Sequence, residues 1–447
     1  MAGLLDRQVS IAPAGYNRWL VPPAALAIHL CIGQVYGISV FNLPLTKLLG
    51  VDKPAAADWK LTQVAVIFQV AIAVLGLSAA IFGKWLERVG PRAAMFAAAC
   101  CFGSGFLLSA LGTQLHIFSL VVFGYGVIGG IGLGLGYISP VSTLMKWFPD
   151  RPGMATGLAI MGFGGGAMIG SPLAVELMAR FATPRSVGVT PTLVTMGLLY
   201  FAFMLFGSLT VRLPPTGWKP AGWTPSTKIQ HLVTSAHVNA DQAIRTPQFW
   251  LVWAVLLLNV SAGIGILQMA SPMIQETFSG RIGPAPAAGF VGLLSIFNMG
   301  GRFFWSSLSD KLGRKTVYSI YFILGAALYA FVPTAGALKS IPLFVGATCI
   351  MLSMYGGGFA TVPAYLRDLF GTAQVGAIHG RLLTAWSLAG VIGPLLINSL
   401  RDAQLARGVA PAQAYNITLY ILSCALLVGF VCNLLVKPVD SKYHLAA

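Results

Sequence analysis

The sequence predicts an all-α membrane protein whose twelve transmembrane helices form two six-helix halves. Three observations predict it. Only 9% of the 447 residues are charged and 56% are hydrophobic, where an ordinary soluble domain is about 25% charged. The apolar residues run in stretches that meet the ~20 residues a helix needs to cross ~30 Å of hydrocarbon. Short motifs also recur at matching places in the two halves. In a solvent without hydrogen-bond partners, helices that satisfy their own backbones are the expected elements.

The first apolar run places α1 over 20–48. A charged stretch separates it from α2 over 61–85, and the charges from Glu87 to Arg92 separate α2 from α3 over 93–111. The next runs give α4 over 117–148, α5 over 154–181 and α6 over 192–211. A polar stretch follows over 212–247, with Pro214, Pro215, Pro220, Pro225, Lys219, Lys228 and Arg245. It reads as a cytoplasmic linker between an N-terminal half (1–211) and a C-terminal half (248–447). The second half repeats the pattern: α7 over 248–278, α8 over 285–308, α9 over 315–335, α10 over 341–370, α11 over 376–400 and α12 over 415–436. Residues 1–19 lack the basic region, short apolar core and cleavage site of a removable signal, so α1 itself is expected to start insertion.

The halves match in three ordered places. The loop after α2 reads Glu87-Arg88-Val89-Gly90-Pro91-Arg92, and the loop after α8 reads Asp310-Lys311-Leu312-Gly313-Arg314. Each has an acid, a glycine three residues on, and an arginine close behind. Pro140 in α4 leads to Lys146-Trp147-Phe148, and Pro363 in α10 leads to Arg367-Asp368-Leu369-Phe370. Gly170-Ser171-Pro172 in α5 is answered by Gly393-Pro394 in α11.

The net charge is +16. In a soluble protein that would point to nucleic acid; here the basic residues sit at helix ends and no nucleic-acid partner is expected. With both termini inside, 18 of the 28 lysines and arginines fall on cytoplasmic segments, 9 on external loops and one within a helix, as the positive-inside rule requires. The six cysteines (Cys31, Cys100, Cys101, Cys349, Cys424, Cys432) lie in apolar runs without metal-ligand spacing, so neither a zinc site nor a disulfide is expected. With no nucleophile–base pair or metal cluster at helix depth, neither enzymatic activity nor a cofactor is expected.

The one basic residue away from a helix end is Arg302, in Asn298-Met299-Gly300-Gly301-Arg302-Phe303-Phe304 of α8. An arginine at helix centre costs on the order of 3 kcal/mol on insertion scales, and such residues face cavities. The plainer alternative is snorkelling toward Asp310, roughly 12 Å along the helix. Asn298, four residues earlier, shares the face of Arg302, and Gly300 and Gly301 leave the surface there uncrowded. No acid is placed firmly at mid-membrane, so the expected partner is an anion brought from outside, held by a guanidinium fork suited to carboxylate. His29, Gln34 and Tyr36 in α1, Tyr125 and Tyr137 in α4, Gln268 in α7 and Tyr355 in α10 are further candidates for a cavity lining, or are interhelical glue. The glycines of α4 (Gly126, Gly129, Gly130, Gly132, Gly134, Gly136) read as close-packing positions rather than a dinucleotide fingerprint, since no strand precedes them.

The stretches Gly134-Leu135-Gly136-Tyr137-Ile138-Ser139-Pro140 and Lys146-Trp147-Phe148-Pro149-Asp150-Arg151-Pro152-Gly153, with Gly301-Arg302-Phe303-Phe304 and the Asp310 loop, resemble the oxalate/formate antiporter family of the major facilitator superfamily, which is related to monocarboxylate transporters. The resemblance spans most of both halves and implies the superfamily's fold of two parallel six-helix repeats. It implies that Arg302 binds a substrate carboxylate, supported by Asn298, Tyr137 and Tyr355; Gln34, Gln268 and Trp386 are expected as further substrate residues from their own positions in the helices. The resemblance also implies a gating role for Glu87, Arg88, Gly90 and Arg92 and for Asp310, Gly313 and Arg314. The first loop departs from the family pattern in having Glu87 for aspartate and Pro91 before Arg92. Where the oxalate-exchanging member carries a lysine in helix 11, this chain has Trp386. One cation then balances one negative charge, and a dianion would leave unpaired charge in a low dielectric.

The expectation is therefore a secondary active transporter of small monocarboxylates of the formate, lactate or pyruvate type, working by alternating access with proton symport or anion exchange. Oxalate/formate exchange and export of other small organic compounds are the alternatives. His29 is the candidate for proton coupling. The chain is expected to work as a monomer in a bacterial inner membrane, both termini cytoplasmic, with membrane lipid around it and a small organic anion as substrate.

Overall fold

Runs of apolar residues fold into helices here because a helix leaves no backbone group unpaired in hydrocarbon. The computed structural model describes residues 3–224, 232–234 and 236–445, apart from the side chains of Gln268, Pro284 and Ala285. Pro225 and Lys228 of the middle stretch, and the Gln268 side chain, lie outside the described residues. Among these residues twelve helices are long and apolar enough to cross a membrane. They are α1 (Arg18–Leu45), α2 (Leu61–Val89), α3 (Pro91–Gln114), α4 (Phe118–Trp147), α5 (Pro152–Phe181) and α6 (Val189–Thr210). The second set is α7 (Pro247–Thr277), α8 (Pro284–Leu312), α9 (Arg314–Ala337), α10 (Ile341–Phe370), α11 (Val375–Ala406) and α12 (Asn416–Leu435). The protein is an all-α, multi-pass membrane protein.

Helices α2 and α8 run about a turn further than hydropathy alone places them. What stops them is conformational: Gly90 and Gly313 stand at φ +85° and +86°, a region that glycine enters without a Cβ clash. The charged last turns before them are still helical.

The chain divides into two units. One comprises Met1–Asp150, Leu158–Pro225 and Gly376–Ser387; the other comprises Arg151–Gly157, Ser226–Val375 and Leu388–Ala447. Within the first unit α2 packs on α4, α3 on α6 and α1 on α6. Within the second α8 packs on α10, α9 on α12 and α7 on α12. Each pairing recurs six helices later, so the duplication read from the loops is also a duplication of packing.

Two helices of the first unit depart from regular α geometry. In α1 a tighter 3₁₀ stretch, Gly33–Phe41, follows the regular turns of Val21–Ile32. Any side chain at Gly33 or Gly37 would collide with Phe163 or Ser171 of α5, so glycine sets the closeness of α1 and α5. In α4 a π-helical stretch covers Val122–Gly129. Five of the six α4 glycines are packing positions, as expected: a Cβ on Gly132 would lie 2.6 Å from the Phe102 nitrogen, and one on Gly130 would lie 2.8 Å from Val74, whereas one on Gly129 would meet only the Gly124 carbonyl of its own helix.

Helix α11 was expected as one rod over 376–400. It is two pieces, Val375–Leu382 and Thr384–Ala406. Thr384 turns its hydroxyl back to the Arg381 carbonyl at 2.8 Å, a local bond that competes with the helical ladder. Ser387 just beyond donates to the α2 carbonyls of Ile72 and Ala73 at 3.0 and 3.1 Å.

Candidate functional site

In the second unit the site is built on the α8–α10 contact. Residues four apart on a helix share a face, which stacks Asn298 with Arg302 on α8 and Tyr355 with Phe359 on α10. Small residues let the backbones meet. A Cβ on Gly301 would strike the Ser353 backbone, and one on Gly356 would lie 2.6 Å from the Asn298 side-chain oxygen. The expectation that Gly301 lies on an uncrowded surface is therefore corrected: it is where α10 fits against α8. Gly300 alone of the pair faces open space.

Arg302 is fully buried. Its Nε donates to Asn298 Oδ1 at 3.2 Å, and its guanidinium carbon lies 5.3 Å from the centre of the Phe359 ring. Phe359 in turn meets the Tyr355 ring edge-on at 5.3 Å. The side chain does not snorkel toward solvent. It is held by an amide on its own helix and an aromatic face on the next, a cation–π arrangement that gains strength away from water. Tyr355 also lines a small cavity with Asn259, Gly263, Tyr321 and Tyr329. Asn259 Oδ1 is buried there with no hydrogen-bond partner among the described residues.

In the first unit the candidates gather around Tyr137. Its ring lies 5.5 Å from His29, 5.3 Å from Phe163, 5.3 Å from Trp386 and 5.9 Å from His379, centre to centre. Tyr36 closes the group, 5.2 Å from Phe163 and 6.3 Å from Trp386. Four helices, α1, α4, α5 and α11, thus supply one aromatic cluster, buried except at the half-buried Tyr36. Gln34 accepts a hydrogen bond from Tyr125 at 2.9 Å. The π-helical stretch of α4 carries Tyr125, and such bulges often mark functional positions.

The duplicated loops place their acids at helix starts. Asp310 accepts from the backbone nitrogens of Gly153 and Met154 at 2.9 and 2.8 Å, in the first turn of α5. Glu87 accepts from the Gly376 nitrogen at 3.2 Å, in the first turn of α11. A carboxylate there satisfies donors the helix leaves over and faces the positive end of its dipole. Arg314 bonds Asp310 at 2.6 Å and Asp368 at 3.1 Å, while Lys146 bonds Glu87 at 2.9 Å. Arg88 is exposed. Arg92 is buried and donates to the carbonyls of Leu4 and Val211 at 3.1 and 3.4 Å.

Sequence reasoning missed Phe359, Asn259 and His379. Phe359 could have been found from its i+4 spacing to Tyr355. Asn259 is an amide amid Leu256-Leu257-Leu258 and Val260, a signal present in the sequence. His379 sits two residues before Arg381 in the first turns of α11 and reads as a helix-end charge. Only the packing shows it buried.

Comparison with known proteins sets these residues in a family. The model of the Major Facilitator Superfamily matches residues 12–394. An uncharacterized MFS-type transporter, YhjX of Escherichia coli (strain K12), is 25% identical over 386 residues, covering 85% of this chain and 88% of that one. The oxalate:formate antiporter of Oxalobacter formigenes is 27% identical over 379 residues, covering 84% and 83%. Apicoplast pyruvate carrier 1 of Toxoplasma gondii is 26% identical over 358 residues, covering 66% and 60%, and monocarboxylate transporters are also among the relatives. The fold is shared with the proton:xylose symporter XylE, with a TM-score of 0.67 at 16% identity over 93% of this chain and 95% of that one. It is also shared with the fucose:proton symporter FucP of E. coli, with a TM-score of 0.65 at 14% identity over 95% and 100%.

Proposed function

The chain belongs to the Major Facilitator Superfamily, a family of membrane transporters and not of enzymes, and within it we propose that this member carries small monocarboxylates by alternating access. The observation that carries the reading is Arg302: a fully buried guanidinium on a membrane helix, oriented by Asn298 and backed by Phe359. A guanidinium presents paired donors that match the two oxygens of a carboxylate. It brings one positive charge, which suits a monoanion of the formate, lactate or pyruvate type. Asn298 and Tyr355 support it. Tyr137, Trp386 and Gln34 of the first unit are proposed as substrate residues as well. The Glu87 and Asp310 loops are proposed as gates, since each acid holds the start of a helix. We propose that the protein lies in a bacterial inner membrane with both termini cytoplasmic, a reading supported by the distribution of its lysines and arginines and by its bacterial relatives.

Uptake of labelled formate, lactate, pyruvate and oxalate into proteoliposomes tests this. Monocarboxylates should enter and Arg302→Ala should lose at least tenfold of the rate, the scale of one charge-assisted hydrogen-bonded contact. Uptake by R302A equal to wild type would sink the assignment. A clear preference for oxalate would favour the exchange reading that the Oxalobacter relative supports.

A further inference from the structure

Tyr137 is flanked by two imidazoles. His29 on α1 sets its Nδ1 3.2 Å from the Ala25 carbonyl, the usual local bond of a helical histidine. His379 is different. It is 1% exposed, and neither ring nitrogen has a hydrogen-bond partner among the described residues. Burying a polar ring without partners is costly. The fold nonetheless holds it firmly. The neighbouring Gly380 lies against the α2 backbone at Ala79, where any Cβ would clash, and the break in α11 follows at Leu383. The Tyr137 ring lies across it, 5.9 Å away and tilted by 50°.

Within the first unit, the groups around His379 are sparse in charge. From α4 it faces the Tyr137 phenol, and from α1 the His29 imidazole. From α2 the contact at Gly380 is with the alanines Ala79 and Ala80, and Glu87 meets α11 at the Gly376 nitrogen, three residues before His379. On its own helix the nearest cation in sequence is Arg381, two residues on.

We propose that His379 is the proton site of this carrier, taking up one proton with each carboxylate and releasing it when the carboxylate leaves. The inference rests on the carboxylate reading above and extends it to symport. A neutral imidazole offers one N–H donor and one lone pair, and the lone pair accepts the proton. An imidazolium in a low-dielectric interior is costly by itself. The charge of a bound anion lowers that cost, so protonation and carboxylate binding favour each other, and proton and monoanion together are a cargo without net charge. His29, with Nδ1 engaged locally, is not needed for this step.

The test uses purified full-length protein in proteoliposomes with an internal pH dye and labelled pyruvate and formate as probes. Wild type should take up about one proton per carboxylate, and an imposed gradient of one pH unit should drive about tenfold accumulation. His379→Gln, which keeps hydrogen-bonding capacity but does not titrate, should lose accumulation and proton uptake entirely. Its carboxylate counterflow at equal pH on both sides should fall by only about two- to threefold, because exchange requires no net proton movement. H379Q that still accumulates substrate, or that loses counterflow as fully as accumulation, overturns the proposal. If H379Q does not assemble, His379→Asn carries the same readouts. Wild type decides the matter even without a variant: carboxylate uptake with no accompanying proton overturns symport and leaves the carboxylate reading standing. Wild type that takes up no carboxylate at all would instead remove that reading.

Discussion

A guanidinium buried away from solvent must be solvated by the protein, and Asn298 and the Phe359 face contribute to this at Arg302. This predicts that shape matters as well as charge. Arg302→Lys keeps the charge but replaces a planar fork by a point charge, so transport should fall by about tenfold or more, with little change in how much protein reaches the membrane. Full transport by R302K would show that charge alone suffices. Asp58, in the loop between α1 and α2, illustrates the same logic outside the membrane. Burial pushes its carboxyl up, but the backbone N–H groups of Leu49, Ala55 and Gly50, with His116 nearby, outweigh this and hold it below the ordinary carboxylate range. The bound form is therefore the charged one. Its contribution is fully present above the ordinary value near ~3.9 and is lost as pH falls through the lowered one. Amide exchange at Leu49, Gly50 and Ala55 should be faster in Asp58→Ala at neutral pH, and the difference from wild type should vanish in strong acid. A difference that persists unchanged in acid would show that the carboxylate charge is not what orders the loop.

At the scale of helices, small residues set distances and acids set ends. Gly300 and Gly301 are adjacent in sequence but meet different surroundings, open space and the Ser353 backbone. Gly301→Ala should cost on the order of 1–3 kcal/mol by overpacking, while Gly300→Ala should be neutral or mildly stabilising, since alanine is the better helix former. Thermal unfolding in detergent separates the two, and equal effects would contradict the described packing of α8 on α10. Asp310→Ala removes the acceptor from two backbone donors at the start of α5 and should cost about 1–2 kcal/mol, the scale of a lost helix cap. The same measurement would show an unchanged midpoint if the cap were idle. The positions of the spans were readable in advance because each is a long apolar run. The α11 break was not: no proline or glycine lies at Leu383-Thr384, and the interruption depends on a hydroxyl finding a carbonyl one turn back.

At the scale of the whole chain, twelve spans and an even count imply both termini on one side. A fluorescent protein fused to the C-terminus should fluoresce in the cytoplasm, and alkaline phosphatase inserted at 183–186, between α5 and α6, should be active outside. The reverse pattern would overturn the orientation drawn from the lysine and arginine distribution.

Hydropathy and charge add up along a chain, so they can be read without coordinates. On that basis the sequence alone determined the membrane as solvent, the number and order of helices, the duplicated loops and the presence of a deep arginine. Its resemblance to a carboxylate-carrying family was legible for the same reason, in short contiguous stretches. The tertiary structure alone decided which side chains converge. Convergence depends on how each helix is rotated and how closely its glycines let a neighbour approach. Phe359 beneath Arg302, His379 against Tyr137, and the acids of the two loops at the starts of α5 and α11 join residues tens to hundreds of positions apart, and no local pattern records such pairings.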